Sequence, residues 1–378
     1  MIQDSAKAGR TLDGARRPGS AGFGLPDNAA VQAEACAPRA DAHWMRRALR
    51  LASMSLGMTA PNPGVGCVLV KNNELIGAGR HRRWGDLHAE TAALADARAR
   101  GHEPAGATAY VTLAPCTRTG RQPPCAQALV AAGVVRVVAA LADPGQEDPS
   151  PHLPGIDYEV GCLGAVAAHI HGGFLSRITK GRPRVTGKWA MTLDGLLAKT
   201  GGGGWISSAG ALALGRRRRR AFDAIIVGAG TARIDDPALL ATRPRPHHDG
   251  RGPRRVVLGR TPIAAESRLR DGAAQLLLCT GQDGTPDPHD PPAVARWLGQ
   301  LGCNDVLVEG GAIVHAAWLQ ADLYDRLDIS VGGLTWTTGL PVVQADALRL
   351  PITAGVTWEH EQPPLLVDGT VMMRLRRR

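Results

Sequence analysis

Residue types that bind zinc and move protons recur in a short order along the first half of the chain. His88 and Glu90 stand two positions apart in His-Ala-Glu, and Cys116 and Cys125 follow, each directly after a proline. One imidazole and two thiolates supply three of the four ligands of zinc and leave a position for water. Bound zinc lowers the pKa of water towards neutrality and supplies hydroxide, and Glu90 would pass the proton to a departing amine. The pattern predicts the hydrolytic chemistry of the zinc deaminases.

Each of these residues alone has an ordinary structural explanation, because a lone cysteine is usually core packing. Their positions relative to the predicted helices and strands favour a shared site over separate structural roles. His88 opens a predicted helix, Cys116 follows a predicted strand, and Cys125 stands at the start of another helix. The positive end of a helix dipole favours a thiolate. We therefore interpret the set as one zinc site.

The composition of the chain narrows the classes of protein. It has 378 residues, 44% of them hydrophobic and 21% charged, which is ordinary globular composition with room for two domains at ~150 residues each. No apolar run approaches the ~18 to 20 residues that span a bilayer, and the first 25 residues lack the apolar core of a secretory signal. We therefore expect a cytoplasmic protein that contacts no membrane. The net charge of +10 fits anionic small molecules as well as nucleic acid.

Strands and helices alternate in the part of the chain that carries the zinc motif. Residues 1–40 hold almost no large apolar side chains, so we expect a disordered extension there. The following unit, 41–180, contains in chain order a hairpin at 67–78, a helix at 87–100, a strand at 107–113, a helix at 124–132 and a strand at 134–141. This alternation is typical of α/β layer folds.

A second unit, 182–378, follows a linker at 180–183, and the alternation restarts in it. Its predicted elements are a helix at 207–220 and short apolar strands at 184–190, 223–227, 256–258, 276–278 and 305–308. The chain is therefore predicted to hold two α/β domains, with the zinc motif wholly in the first.

The motifs together resemble those of the bifunctional riboflavin-biosynthesis deaminase/reductase family. The resemblance rests on Pro-Asn-Pro-Gly-Val-Gly at 61–66, on His81, and on the run 110–125, whose cysteines have eight residues between them instead of the two of most cytidine and tRNA deaminases. It covers about residues 41–375. It implies a cytidine-deaminase-like domain followed by a dihydrofolate-reductase-like domain, with zinc and NADPH as cofactors. It also implies a phosphorylated pyrimidine substrate and a homo-oligomer.

The resemblance assigns substrate contacts in the first domain residue by residue. Asn62 and His81 would face the pyrimidine, and Asp143 matches the family's Asp-Pro-Asn segment. Arg118 and Arg121 would bind the ribose phosphate, for which the bidentate guanidinium is well suited. The chain departs from the family pattern at two positions that put fine substrate contacts in question, Gly145 in place of Asn and Ala114 in place of Glu.

In the second domain five segments follow the family's order, beginning at Lys188-Trp-Ala-Met-Thr-Leu-Asp-Gly and ending at Val308-Glu-Gly-Gly. The resemblance assigns four residues to NADPH, namely Trp205, Thr231, Asp235 and Gly311. It assigns five to the substrate of the reduction, namely Lys188, Arg219, Leu239, Arg243 and Glu309. Hydride transfer needs no protein nucleophile, because the cofactor carries the chemistry.

Two departures in this domain matter for its activity. Gly203 stands where the family has a substrate-binding serine, and the run Arg216–Arg220 replaces a mixed helix segment. The run is interpreted as a solvated basic face rather than a phosphate or nucleic-acid patch, because no aromatic residues are interleaved with it.

Three further readings compete with a bifunctional enzyme of riboflavin synthesis. One keeps the deaminase and treats the second domain as degenerate or repurposed, on the basis of Gly203 and the arginine run. Another is a non-catalytic, zinc-stabilised basic protein that binds nucleic acid. Glu90 argues against it, since a structural zinc site needs no proton shuttle and usually has four protein ligands. A tRNA deaminase is disfavoured by the cysteine spacing.

Overall fold

A computed structural model describes residues 39–120, 122–149, 153–199, 204–242, 252–342 and 355–378. The predicted disordered extension therefore lies almost wholly outside the described residues, as do Arg121, Gly203 and Arg243. Within the described part of the chain, no helix is both long and apolar enough to cross a membrane.

The first unit is a five-stranded sheet with helices on both faces. Its strands are β1 (Gly66–Lys71), β2 (Glu74–Arg80), β3 (Thr108–Val111), β4 (Arg136–Ala139) and β5 (Asp157–Val160). Its helices are α1 (Arg39–Ser53), α2 (Ala89–Ala99), α3 (Cys125–Ala131) and α4 (Gly164–Lys180). The strand order is β2-β1-β3-β4-β5, antiparallel around β1 and parallel from β3 to β5.

The predicted hairpin is present as β1 and β2. Asn72 and Asn73 form its two-residue turn with φ of 51° and 62°, and Lys71 pairs with Glu74. Positive φ at both central residues is the geometry that fits the twist of a two-residue hairpin, and asparagine tolerates it.

The two faces of this sheet carry separate cores, because alternate residues of a strand point to opposite sides. Cys67 and Leu69 of β1 pack with residues of α2 and α3. Val68 and Val70 pack with residues of α1 and α4. The sheet is thus a middle layer, and both edges of the layer carry loops that can host a site.

Gly79 of β2 lets helix α2 lie directly on the sheet. A Cβ atom at this position would fall 2.3 Å from the carbonyl oxygen of Ala89, which no side chain could tolerate. This close packing fixes the first turn of α2, where His88 and Glu90 stand.

The second unit is built on a nine-stranded sheet. Its strands are β6 (Arg184–Met191), β8 (Ala224–Gly228), β9 (Arg254–Leu258), β10 (Leu276–Cys279), β11 (Asp305–Gly310), β12 (Arg326–Gly332), β14 (Trp358–His360), β15 (Leu365–Val367) and β16 (Thr370–Arg377). The order is β10-β9-β8-β11-β6-β12-β16-β14, with β15 paired to β16. It is parallel from β10 to β12 and antiparallel at β16.

Shorter elements complete this unit. They are a two-stranded ribbon of β7 (Leu196–Lys199) and β13 (Gly339–Pro341), and the helices α5 (Ala209–Arg218), α6 (Ala229–Asp235), α7 (Pro291–Gln300) and α8 (Ala312–Gln320). The predicted helix at 207–220 ends early, because a 3₁₀ turn at Arg219–Ala221 takes over from α5. The buried strands β8 and β11 lie in the middle of the sheet, as their continuous apolar runs favour.

The connection between the two units is short. Helix α4 continues through Lys180, and Phe174 and Ser176 in its last turns are buried. Gly181 ends the helix in the left-handed conformation with φ of 67°, and β6 begins three residues later at Arg184. Such a connection gives the two units little freedom to separate.

Candidate active sites

The three predicted zinc ligands come together at the ends of three elements. His88 caps the start of α2 in an extended conformation, Cys125 is the first residue of α3, and Cys116 lies in the loop after β3. The Nδ1 atom of His88 lies 3.6 Å from Sγ of Cys116 and 3.3 Å from Sγ of Cys125. The ligand atoms of all three residues lie within 4.8 Å of one another.

These distances suit a shared zinc ion. Zinc bonds of about 2.1 Å to nitrogen and 2.3 Å to sulfur place tetrahedral ligand atoms about 3.6 to 3.8 Å apart. The backbone N–H of Cys125 donates to Sγ of Cys116 at 3.3 Å. Hydrogen bonds from Cys125 and from His88 lower the pKa of the Cys116 thiol to about 4. The donor set therefore offers the thiolate character that zinc requires.

Glu90 lies in the first turn of α2 and is buried, with 4% of its surface exposed. Burial, followed by the charge on Cys116, raises the pKa of its carboxyl group to about 7. A carboxyl group with this pKa can both accept and return a proton at neutral pH. It lines the same cavity as His88 and Cys116.

A cavity of about 410 Å³ opens beside this cluster. Its wall includes four of the residues assigned to the substrate from the sequence, namely Asn62, His81, Arg118 and Asp143. His88, Glu90 and Cys116 belong to the same wall. The structure thus gathers around one opening residues that are spread over more than 80 positions of the sequence, whereas Arg121 lies outside the described residues.

His81 and Asn62 form a hydrogen-bonded pair in this wall. His81 is buried, and burial lowers the pKa of its ring. Its Nδ1 atom lies 3.0 Å from the carbonyl oxygen of Leu87, so Nδ1 carries the proton and donates. The Nε2 atom then accepts from Nδ2 of Asn62 at 3.3 Å. This chain of bonds fixes the Asn62 amide, and its Oδ1 atom is the end left to meet a ligand.

Gln146 braces the loop that carries Cys116, a role that the sequence did not reveal. Its Oε1 atom accepts from the N–H and the hydroxyl of Thr117 at 2.8 and 3.0 Å. Its Nε2 atom donates to Asp143 at 3.2 Å. Asp143 also accepts from the N–H of Gly145 at 2.9 Å, and burial raises the pKa of its carboxyl group. No spacing rule singles out a lone glutamine, so only the tertiary structure identifies this brace.

Arg118 reaches the same segment from the opposite side. Its side chain is exposed, and its Nη2 atom donates to the carbonyl oxygen of Gly145. Gly145 itself lines the cavity, and a Cβ atom there would lie 3.1 Å from Oδ1 of Asp143 and 3.6 Å from the Phe174 ring. The glycine that departs from the family pattern thus stands beside the arginine and aspartate assigned to the substrate.

In the second domain, three predicted substrate residues come together: Lys188 and Glu309 lie on the neighbouring strands β6 and β11, and Arg219 begins the 3₁₀ turn after α5. Arg219 donates to both carboxylate oxygens of Glu309, at 2.8 and 2.7 Å, and to the carbonyl of Leu240 at 3.1 Å. Burial alone would raise the pKa of Glu309, but Arg219 and then Lys188 lower it to about 2. Lys188 lies on β6, which pairs with the strand of Glu309. The group is therefore a charged triad with a fixed arrangement.

Of the residues assigned to NADPH, Thr231 and Gly311 follow the carboxyl ends of β8 and β11, whereas Trp205 precedes α5. Gly311 caps the start of α8, and its N–H donates to Oγ1 of Thr231 at 2.8 Å. Asp235 is the exposed last residue of α6, and Trp205 is 75% exposed. Leu239, assigned to substrate, has a buried side chain packed in the apolar cluster that includes Val227 and Val257.

The arginine run is not the solvated face expected from its sequence. Arg218 and Arg219 have side chains only 15% and 16% exposed, and they pair with Asp328 and Glu309 respectively. The expectation was wrong because the acidic partners come from strands about 90 to 110 positions later in the chain. Within the run, Arg216 is exposed, and Arg217 to Arg220 are half-buried.

Both domains of the chain match families of known proteins. The family model of the RibD C-terminal domain matches residues 183–335, and that of the cytidine and deoxycytidylate deaminase zinc-binding region matches residues 38–141. The riboflavin biosynthesis protein RibD of Haemophilus influenzae is 44% identical over 321 residues, covering 77% of this chain and 85% of that protein. The Escherichia coli protein is 35% identical over 326 residues, covering 77% and 87%.

A solved structure agrees with these matches over most of the chain. The crystal structure of a diaminohydroxyphosphoribosylaminopyrimidine deaminase/5-amino-6-(5-phosphoribosylamino)uracil reductase from Thermotoga maritima superposes with a TM-score of 0.78 and 29% identity, covering 90% of this chain and 99% of that one. The fold is therefore a cytidine-deaminase-like domain followed by a dihydrofolate-reductase-like domain. The chain belongs to the RibD family, and it is a bifunctional enzyme of riboflavin biosynthesis with a zinc-dependent deaminase and an NADPH-dependent reductase.

Proposed function

We propose that residues 41–180 deaminate 2,5-diamino-6-(5-phosphoribosylamino)pyrimidin-4-one and that residues 182–378 reduce the ribosyl group of the product to ribityl. The observation that carries the proposal is the single cavity that gathers His88, Glu90 and Cys116 with the predicted substrate residues. The Thermotoga maritima enzyme is named as a deaminase of a diaminohydroxyphosphoribosylaminopyrimidine and a reductase of 5-amino-6-(5-phosphoribosylamino)uracil. The end of α4 at the left-handed Gly181 supports a division between the domains at this point.

In the deaminase, His88, Cys116 and Cys125 would hold zinc, which supplies a Lewis acid that lowers the pKa of water towards neutrality. Glu90 accepts the proton of the attacking water and delivers a proton to the departing amine, so that water is consumed and ammonia is released. The pKa of about 7 suits the carboxyl group to both transfers. The Asn62 amide, held by neutral His81, orients the pyrimidine ring.

Phosphate recognition falls to the segment between the two zinc cysteines. Arg118 and Arg121 stand three positions apart there. Arg118 lies on the cavity wall beside Asp143. A guanidinium in this position binds a dianionic phosphate by charge-assisted hydrogen bonds and holds the substrate at the mouth of the cavity.

In the reductase, NADPH supplies the hydride, and Trp205, Thr231, Asp235 and Gly311 would bind it. Lys188, Arg219, Leu239, Arg243 and Glu309 would contact the substrate. Leu239 can contribute only through its backbone, because its side chain is buried in the core. The ion pair with Glu309 fixes the guanidinium of Arg219, and Lys188 adds the positive charge that an anionic substrate needs.

Location and assembly are further parts of the proposal. A cytoplasmic location is the expectation drawn from the sequence. The homo-oligomer is an expectation from the family resemblance. Sedimentation of the purified chain would test it, and a mass near 40 kDa would contradict it.

One assay tests the proposed function as a whole. The purified chain receives the diaminopyrimidine ribose phosphate with and without NADPH, and ammonia and NADPH are both measured. We expect one ammonia per substrate in either case, and one NADPH consumed only after deamination. NADPH consumption without ammonia release, or no reaction at all, would refute the proposal.

A further inference from the structure

A contact between the two domains lies directly behind the deaminase cavity. Asn304 precedes β11 of the reductase domain and is buried, with 7% of its surface exposed. Its Nδ2 atom donates to the backbone carbonyls of Pro61 and Asn62, at 3.3 and 3.1 Å. These residues belong to the loop between α1 and β1 that brings Asn62 to the cavity wall. The reductase domain therefore holds the backbone of a loop that forms the other domain's site.

Arg177 of helix α4 completes this contact from the deaminase side. Its Nε atom donates to Oδ1 of Asn304 at 2.7 Å, and its Nη2 atom donates to the carbonyl of Pro61 at 2.6 Å. The Asn304 amide thus accepts from the helix and donates to the loop. A buried amide with both ends satisfied is held in one orientation.

The backbone of Asn304 is itself fixed within the reductase sheet. Its N–H donates to Asp223 at 2.7 Å, and its carbonyl accepts from the N–H of Arg184 at 2.8 Å. Two residues earlier, Gly302 packs against the same loop, since a Cβ atom there would lie 3.2 Å from Cβ of Pro61. The backbone of Asn304 is therefore held in place by the reductase sheet, and its side chain can hold the loop that carries Asn62.

The loop carries Asn62, which together with His81 is proposed to face the pyrimidine ring of the substrate. Nδ2 of Asn62 lies 3.3 Å from Nε2 of His81, so displacement of the loop would disturb the pair. We propose that Asn304 is a positioning residue for the deaminase, which fixes Asn62 across the domain boundary and thereby the edge that recognises the pyrimidine. The inference rests on the proposed function, because it assumes that Asn62 contacts the pyrimidine.

The substitution Asn304→Asp in the full-length chain isolates this role. It keeps an oxygen for Arg177 and replaces the donor by a second oxygen that repels the carbonyls of Pro61 and Asn62. We expect KM for the deaminase substrate to rise about tenfold, the size expected for lost buried hydrogen bonds, with kcat within about twofold of the native chain. Zinc content and the reductase rate on pre-deaminated substrate should not change. Gln300→Ala, at an exposed amide four positions earlier, is the matched control.

A second pair of variants separates positioning from structural support. Asn304→Ala removes the Nδ2 donor without adding charge and replaces the aspartate variant if that fails to fold. In an Asn62→Ala background, Asn304→Asp should change KM by less than about twofold, because residues that act through one another are not additive.

Three results would overturn the inference. The first is a native KM for the deaminase substrate in both Asn304 variants. The second is an equal loss of deaminase and reductase activity together with a lower thermal midpoint, because that result indicates a purely structural residue. Full additivity with Asn62→Ala would also contradict it. A native chain that does not deaminate at all would refute the proposed function and the inference with it, whereas a deaminating native chain with unaffected variants refutes the inference alone.

Discussion

Arg219 and Glu309 form a bidentate ion pair, in which Nε and Nη2 of the guanidinium lie 2.8 and 2.7 Å from the two carboxylate oxygens. The pair joins the 3₁₀ turn after α5 to the end of β11. Both side chains are largely buried, with 16% and 10% exposed. A buried pair with this geometry fixes the position of its members, because two parallel charge-assisted hydrogen bonds set the orientation of both groups.

This ion pair predicts a pH-dependent contribution to stability. The pKa of Glu309 is lowered from 4.5 to about 2, so its stabilisation is complete above the unfolded value and is lost as the pH falls towards 2. Urea unfolding of the native chain and of Glu309→Gln should differ by about 3 kcal/mol at pH 7, since one pKa unit is about 1.4 kcal/mol. The difference should close between pH 4.5 and 2, and a gap that is independent of pH would exclude the charge as its cause.

The zinc assignment predicts a selective loss of metal. Cys125→Ser should lose most of the single zinc ion and all measurable deamination, because one of three protein ligands is removed. The reductase rate on pre-deaminated substrate should persist. Metal analysis of the dialysed protein provides the measurement. Cys279→Ala, at a buried free thiol of the other domain, should keep one zinc per chain. Full zinc occupancy in Cys125→Ser would show that the ligand assignment is wrong.

Gln146 should matter to deamination although it need not touch substrate. Gln146→Ala removes the acceptor of the Thr117 N–H and one of the hydrogen bonds that Asp143 accepts. Hydrogen bonds contribute about 0.5 to 1.5 kcal/mol each, so the loss of both should lower kcat/KM about five- to a hundredfold. Steady-state kinetics of ammonia release measure this, with Gln127→Ala on the exposed face of α3 as the control. Equal rates for the two variants would show that Gln146 does not contribute to deamination.

Arg118 is predicted to bind the substrate phosphate. Each charge-assisted hydrogen bond contributes about 1.5 to 3 kcal/mol, so Arg118→Ala should lower kcat/KM about ten- to a hundredfold. The same variant should act on the dephosphorylated compound almost as the native chain does. Arg98→Ala, at an exposed position of α2, controls for the loss of net charge. Equal losses on both compounds would mean that the segment between the cysteines is only structural.

Some of the site follows from the sequence alone and some of it does not. The zinc cluster could be predicted because each ligand stands at the end of an element that local patterns reveal, such as His88 before α2. Gln146 and Asn304 could not, because their partners Thr117 and Asn62 lie 29 and 242 positions away and no spacing rule connects them. The arginine run was misjudged for the same reason, since Asp328 meets Arg218 only in the folded sheet.

The rates of ammonia release and of NADPH oxidation by Glu90→Gln test whether Glu90 carries the proton in deamination. The amide cannot accept or return a proton, and general acid–base catalysis contributes about 10² to 10⁴ in rate. With the diaminopyrimidine ribose phosphate as substrate, we predict that ammonia release falls by at least this factor and that NADPH oxidation stops with it. With pre-deaminated substrate, NADPH oxidation should proceed at the native rate, and zinc should remain bound. Native ammonia release by Glu90→Gln would contradict the account.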